Sequence, residues 1–135
     1  MRDEWFKQIN YPLMMIERPD LSLPLARKLG ISQVETKYTL NLDSDTILPD
    51  GYIEQALEIL EKNQDVVAVA IDYEKLQGHY AFGTSIWRTN ILQELYDWRG
   101  YTREIPICEC VCMWQKLRAS GGVLETLPTR AKHLK

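Results

Sequence analysis

No apolar run in the 135 residues approaches the length that spans a bilayer, and no signal-peptide core follows Met1 to Glu4. A cytoplasmic protein is expected, with a peripheral place at a membrane left open. Basic charge is also scarce: Lys and Arg number 16 against 19 Asp and Glu, a formal net charge of −3. That balance excludes a nucleic-acid binder, whose phosphate contacts need a basic surface, but not anionic small substrates that a metal neutralises locally. Cysteine is confined to Cys108, Cys110 and Cys112. An odd number without a secretion signal speaks for reduced thiols, and a zinc site would need a fourth ligand and a C-x2-C spacing, so buried thiols are expected. No repeat, linker or low-complexity tract divides the chain, so residues 1–135 read as one domain. The 45% hydrophobic and 26% charged content is that of a globular protein able to bury a core.

What is present centres on the stretch from Lys37 to Gly51. Tyr38, Thr39, Leu40 and Leu42 suit a buried pleated surface, and the run stops at two carboxylates, Asp43 and Asp45. Residues two apart leave the same face of a strand, so a small bend would bring both to one point in front of the sheet. Their oxygens suit a hard cation such as Mg2+ or Mn2+. The crevice outside strand ends is also where open α/β sheets bind ligands. The alternative is that Asp43, Ser44 and Asp45 are turn formers and caps before Pro49. An EF-hand is excluded, because Ile47 and Leu48 stand where a calcium loop needs an oxygen ligand and a glycine.

Along the chain, Trp5, Phe6 and Ile9 have helical spacing, and Leu13 to Ile16 is a compact apolar run that reads as a strand. Ser22 stands where an N-cap should be, Pro24 fits a first helical turn, and Leu25, Leu29 and Val34 supply a buried stripe. After the acid-tipped strand, Pro49 opens a helix whose apolar face is Ile53, Ala56, Leu57 and Leu60, ending at Asn63. Val66 to Ile71 has no alternation, as in a strand covered on both faces, and the strand, helix, strand sequence predicts a βαβ unit. Tyr73 to Phe82 reads as a polar, aromatic lid loop, Gly83 to Trp87 as a short strand, and Thr89 to Tyr96 as a short helix. Asp97 to Ile107 is irregular. Glu109 to Ser120 predicts a helix with Val111, Trp114 and Leu117 on one side and Gly121 as its stop. Val123 and Leu124 start a last strand that is expected to end before Pro128, leaving a basic tail from Thr129 without a core of its own.

Taken in order, these segments resemble the GT-A fold of nucleotide-sugar glycosyltransferases, most closely the inverting enzymes of family 2. The resemblance runs through Leu25 to Ile31, Leu42 to Tyr52, Gly83 to Leu92, Glu109 to Leu117, Ala119 to Gly122, and on to Leu127, Pro128 and His133. It implies a Rossmann-like α/β three-layer sandwich with a mostly parallel central sheet. It also implies a metal-dependent transfer of sugar from a UDP- or GDP-linked donor to an acceptor hydroxyl. On this footing Mn2+ or Mg2+ grips the donor diphosphate, with Asp45 as direct ligand and Asp43 at the ribose or metal-bound water. His133 closes the metal shell and Arg27 lies near the nucleotide. Read from its residue alone, Arg27 is equally a solvated helix face and His133 an exposed tail residue.

The chain also departs from that family. An inverting enzyme needs a carboxylate to take the acceptor proton. The family draws it from a Glu-Asp pair where this chain has Glu109 and Cys110, so Glu109 is the candidate base and Asp72, at the end of the Val66 strand, the spare. The family's first strands have no counterpart before Met1, so the sheet is expected to be incomplete at its N-terminal side, its edge covered by a partner chain or a second copy. A catalytically inactive GT-A-like domain that binds a sugar nucleotide or a partner is the competing reading. A sugar nucleotidyltransferase would want a Gly-rich phosphate loop near the N-terminus, and none is present.

Overall fold

The computed structural model describes residues 20–74, 80–97 and 109–134. The helix expected at Trp5 to Ile9, the strand at Leu13 to Ile16, residues 75–79 of the lid loop, most of the irregular Asp97 to Ile107 segment, and Cys108 lie outside these residues. In order the elements are α1 (Leu23–Ser32), β1 (Tyr38–Leu40), β2 (Thr46–Ile47), α2 (Tyr52–Lys62), β3 (Val66–Tyr73), a 3-10 turn (Phe82–Thr84), β4 (Ile86–Arg88), α3 (Thr89–Leu95), α4 (Glu109–Ala119) and β5 (Val123–His133).

The strands form one sheet in the order β1-β4-β3-β5-β2. Helices cover both of its faces, giving the expected three layers. On one side α1, α3 and α4 pack Ile31, Leu92, Met113 and Leu117 against Val67, Ala70 and Trp87. On the other, α2 lays Tyr52, Ala56 and Leu60 on Val69, Ile71 and Ile86. The strand β3 is buried throughout, which is why its sequence shows no alternation. A register shift between Val66 and Ala68 also switches the parity of its inward residues, so Val66, Val69 and Ile71 share a face.

Strand direction corrects the expectation of a mostly parallel sheet. Among the described residues only β3 with β5 is parallel, while β1 with β4, β4 with β3, and β5 with β2 are antiparallel. After β3 the chain returns as β4 beside it, with only a 3-10 turn between them among the described residues, and that return makes β4 antiparallel to both its neighbours. The βαβ unit β1-α2-β3 is therefore split, with β4 lying between its two parallel strands.

Helix α2 follows from its sequence. Glu54 in its first turn and Lys62 in its last complement the dipole, and Lys62 pairs with Glu58 one turn back at 2.5 Å. Burying a side chain such as Leu60, which has no exposed surface, contributes about 2 kcal/mol. Arg88 reaches across to donate to the Leu60 and Asn63 carbonyls at 2.6 and 2.8 Å, satisfying acceptors at the helix end. Helix α4 stops where expected: Gly121 takes φ +87°, a left-handed conformation that glycine adopts freely, and the next N–H donates to the Leu117 carbonyl at 3.2 Å.

Two boundaries move. The predicted strand at Gly83 becomes a 3-10 turn, and β4 begins only at Ile86. At the other end β5 does not stop before Pro128. Thr126 lies opposite Ala70 but Arg130 opposite Asp72, so Leu127, Pro128 and Thr129 are looped out against a single partner position. A residue without an N–H is tolerated at such a bulge, and the strand resumes beyond it. The tail accordingly has a core contact, Ala131, which is fully buried.

Candidate active site at the strand tips

The chain leaving β1 bends at Asp43, whose carbonyl accepts the Thr46 N–H at 3.1 Å, closing a turn over Ser44 and Asp45. The turn is tied down because the Asp43 N–H donates to the Gly83 carbonyl at 3.2 Å. From this base the two carboxylates part company.

Asp43 accepts from Nη2 of Arg27, which α1 projects toward the sheet. The same guanidinium donates through Nη1 to Glu109 Oε1 at 2.6 Å, at the first residue of α4. The other oxygen of Glu109 accepts the Tyr96 hydroxyl, which follows α3. Elements distant in sequence thus meet on one cation: Arg27 and Glu109 are 82 positions apart. Arg27 also lies over the Phe82 ring, 5.2 Å from its centre. Burial works against its charge, but Asp43 and Glu109 more than offset this and raise its pKa further. The Tyr96 hydroxyl is pushed far above the ordinary phenol range, by burial first and by the negative charge of Glu109 second. It remains a neutral donor, therefore, and both oxygens of Glu109 are engaged. Arg27 is not a solvated helix residue; its side chain is only 17% exposed.

Asp45 takes another partner. Its Oδ2 stands 3.2 Å from Nε2 of His133. Strand β5 brings that histidine there after the Pro128 bulge, pairing His133 opposite Thr46, and the Leu134 N–H donates to the Asp45 carbonyl at 2.8 Å. The Tyr73 ring meets the imidazole edge-on at 5.2 Å, while its hydroxyl shares a 2.7 Å hydrogen bond with Thr46. Burial raises the pKa of that hydroxyl; the Thr46 hydrogen bond opposes this, and the charges of Asp43 and Asp45 add to it. Both carboxylates therefore act on this corner, although they do not share one partner.

The remaining candidates fall elsewhere. Asp72 is a buried residue of β3, 5% exposed, opposite Arg130 of β5. Among the described residues no three His, Cys, Asp or Glu side chains gather as a metal cluster. Among the described residues Cys110 and Cys112 form no disulfide, and Cys110 Sγ accepts the Phe82 N–H at 3.3 Å. Sequence reasoning missed Tyr96, Tyr73 and the Phe82–Thr84 turn as parts of the site. Tyr96 had only the signature of a helix end, and nothing local in the chain links it to Glu109.

Among the described residues no helix is long and apolar enough to cross a membrane. A search of curated proteins finds no match to the chain. The model of glycosyl transferase family 2, by contrast, matches residues 3–121, nearly the whole length and every element that builds the corner except β5. The chain belongs to glycosyl transferase family 2.

Proposed function

We propose that the corner holds the diphosphate of a nucleotide-sugar donor, UDP- or GDP-linked, and that the sugar passes to an acceptor hydroxyl with inversion. The observation that carries this is the approach of Asp45 to His133 at the strand tips, 3.2 Å between a carboxylate oxygen and an imidazole nitrogen. Two ligands at right angles on one Mg2+ or Mn2+ ion stand about 3 Å apart, and such ions commonly take one or two protein ligands and complete their shell with phosphate oxygens and water. The pair fits that half-site, with Asp45 and His133 as the protein ligands and Asp43 as the neighbour that orients ribose or bound water. A divalent ion bound there would neutralise charge developing on the diphosphate leaving group.

The chain's own groups divide the remaining work. Arg27 fixes Asp43 and Glu109 in place and offsets part of the negative charge of the corner. In an inverting displacement the acceptor oxygen bonds to the anomeric carbon as the bond to diphosphate breaks, and the acceptor proton passes to a carboxylate. Glu109 is that base in this reading, with Asp72 as the spare. Full basicity of Glu109 requires the contact with Arg27 or with Tyr96 to open, because each donor takes one of its lone pairs.

That requirement favours a second reading, in which the domain binds a sugar nucleotide without turnover. Both Glu109 oxygens are held, and Cys110 is engaged with the Phe82 N–H. In either case the outer edge of β1, which pairs only with β4 among the described residues, offers a place for a partner strand or a second copy. Calorimetric titration with UDP and GDP in the presence of Mn2+ tests donor binding, and release of sugar from a nucleotide sugar separates enzyme from binder. Unchanged metal-dependent nucleotide binding in Asp45→Ala would overturn both readings.

A further inference from the structure

We infer that Gly83 is a positioning residue of this site: its missing side chain decides where the first carboxylate of the D-x-D pair stands. The inference rests on the reading of Asp43 as a donor contact, and the test below separates the two. A Cβ placed on Gly83 falls 2.2 Å from Asp43 Oδ2, 2.4 Å from Cγ and 2.9 Å from Oδ1. Any residue but glycine must drive that carboxylate away. The backbone conformation is not the reason for glycine here, because Gly83 does not have a positive φ, in contrast to Gly51 and Gly121.

The turn itself has little room to yield. Phe82, Gly83 and Thr84 are all buried. The Phe82 N–H is held by Cys110 Sγ at 3.3 Å, the Phe82 carbonyl accepts from Ser85 Oγ at 2.6 Å, and Thr84 Oγ1 lies 2.9 Å from the Ala81 carbonyl. The Phe82 ring is packed among Trp87, Tyr96 and Trp114, with centroid separations of 5.9, 5.7 and 6.3 Å. Asp43 is fixed to the same turn through its own N–H, so its backbone cannot retreat without breaking that bond. The side chain is left to rotate. Rotation takes it off Arg27, whose guanidinium then keeps Glu109 as its remaining carboxylate partner in this corner. One methyl group at position 83 thereby rearranges the charges on which donor binding is proposed to depend. Cys110, where the family resemblance leads one to expect an acid, serves this turn as an acceptor for its first N–H.

The test compares four chains: unaltered, Gly83→Ala, Asp43→Ala, and the double variant, in which the atoms struck by the new methyl are gone. Thermal unfolding should show Gly83→Ala lowering Tm by about 5 °C or more, and by less than half of that when Asp43→Ala is already present. Titration with UDP and Mn2+ should show Gly83→Ala weakening binding roughly 10-fold, with the double variant no weaker than Asp43→Ala alone. Equal losses of Tm in both backgrounds would overturn the inference. Should Gly83→Ala fail to fold, recovery of a folded chain in the double variant supports it, and failure of both overturns it. If the unaltered chain binds neither UDP nor GDP, the functional reading fails while the thermal comparison still decides the role of Gly83.

Discussion

Two aspartates separated by one serine keep different electrostatic company. Asp43 is bound to a guanidinium that never loses its proton and that also holds Glu109, so it is a fixed anion inside a network. Asp45 faces an imidazole, a group that can be a cation, a neutral partner or a metal ligand, and that is itself 40% exposed. The difference teaches that alternate positions of one short motif can be held in different ways: the first aspartate is tied into the corner's network, and the second, on the proposed reading, trades its partner for another cation.

Removing either member should expose that division. The largest effect is expected on ligand binding, from Asp45→Ala, with metal-dependent nucleotide affinity falling roughly 100-fold or more while unfolding free energy changes by less than about 1 kcal/mol. Calorimetry and chemical denaturation of the same preparation measure both quantities. Arg27→Ala should show the reverse emphasis. It strands two partly buried carboxylates, and a loss of about 2 kcal/mol in stability is expected after allowance for the solvent that reaches Asp43, readable in the denaturation midpoint. A variant that left stability unchanged would show that the network is not structural.

Tyr96→Phe should act on the same network more gently. It removes one donor to Glu109 at a cost of about 1 kcal/mol, and it should speed any transfer reaction limited by release of the Glu109 carboxylate. A slower reaction would instead mark the hydroxyl as part of the catalytic arrangement. The smallest effect at neutral pH appears only in alkali. Burial raises the pKa values of Tyr52, Tyr73 and Tyr96 in the folded chain, so the unfolded chain gives up these protons first as pH climbs past about 10. Their contribution is complete below that pH and declines above it. Tyr96→Phe should flatten the fall, and an unchanged slope would remove Tyr96 from the account.

Legibility in the sequence followed distance along the chain. Helix α2 and strand β3 were readable because their apolar spacing is a local consequence of what they cover. The end of α4 was readable from a glycine that takes a left-handed φ. Strand β5 was read short because proline removes a ladder donor, and only the pairing partner reveals that Pro128 sits in a bulge. Sheet direction was misjudged for a similar reason: nothing within β4 states that it inserts between β1 and β3. The candidate residues Arg27, Asp43 and Glu109 could be named individually. Their assembly on one guanidinium depends on packing between α1, α4 and the turn after β1, and so does the part played by Tyr96.

The looped-out residues at Pro128 also act as a length adjuster. Side chains along a strand face alternate sides, so losing one residue of β5 while this excursion kept its three residues would draw Leu134 into the place opposite Thr46 and turn the imidazole to the other face. The slack in the last strand, rather than any feature of the acidic turn, determines which residue type greets Asp45, and related chains could retune that meeting point by insertion or deletion alone.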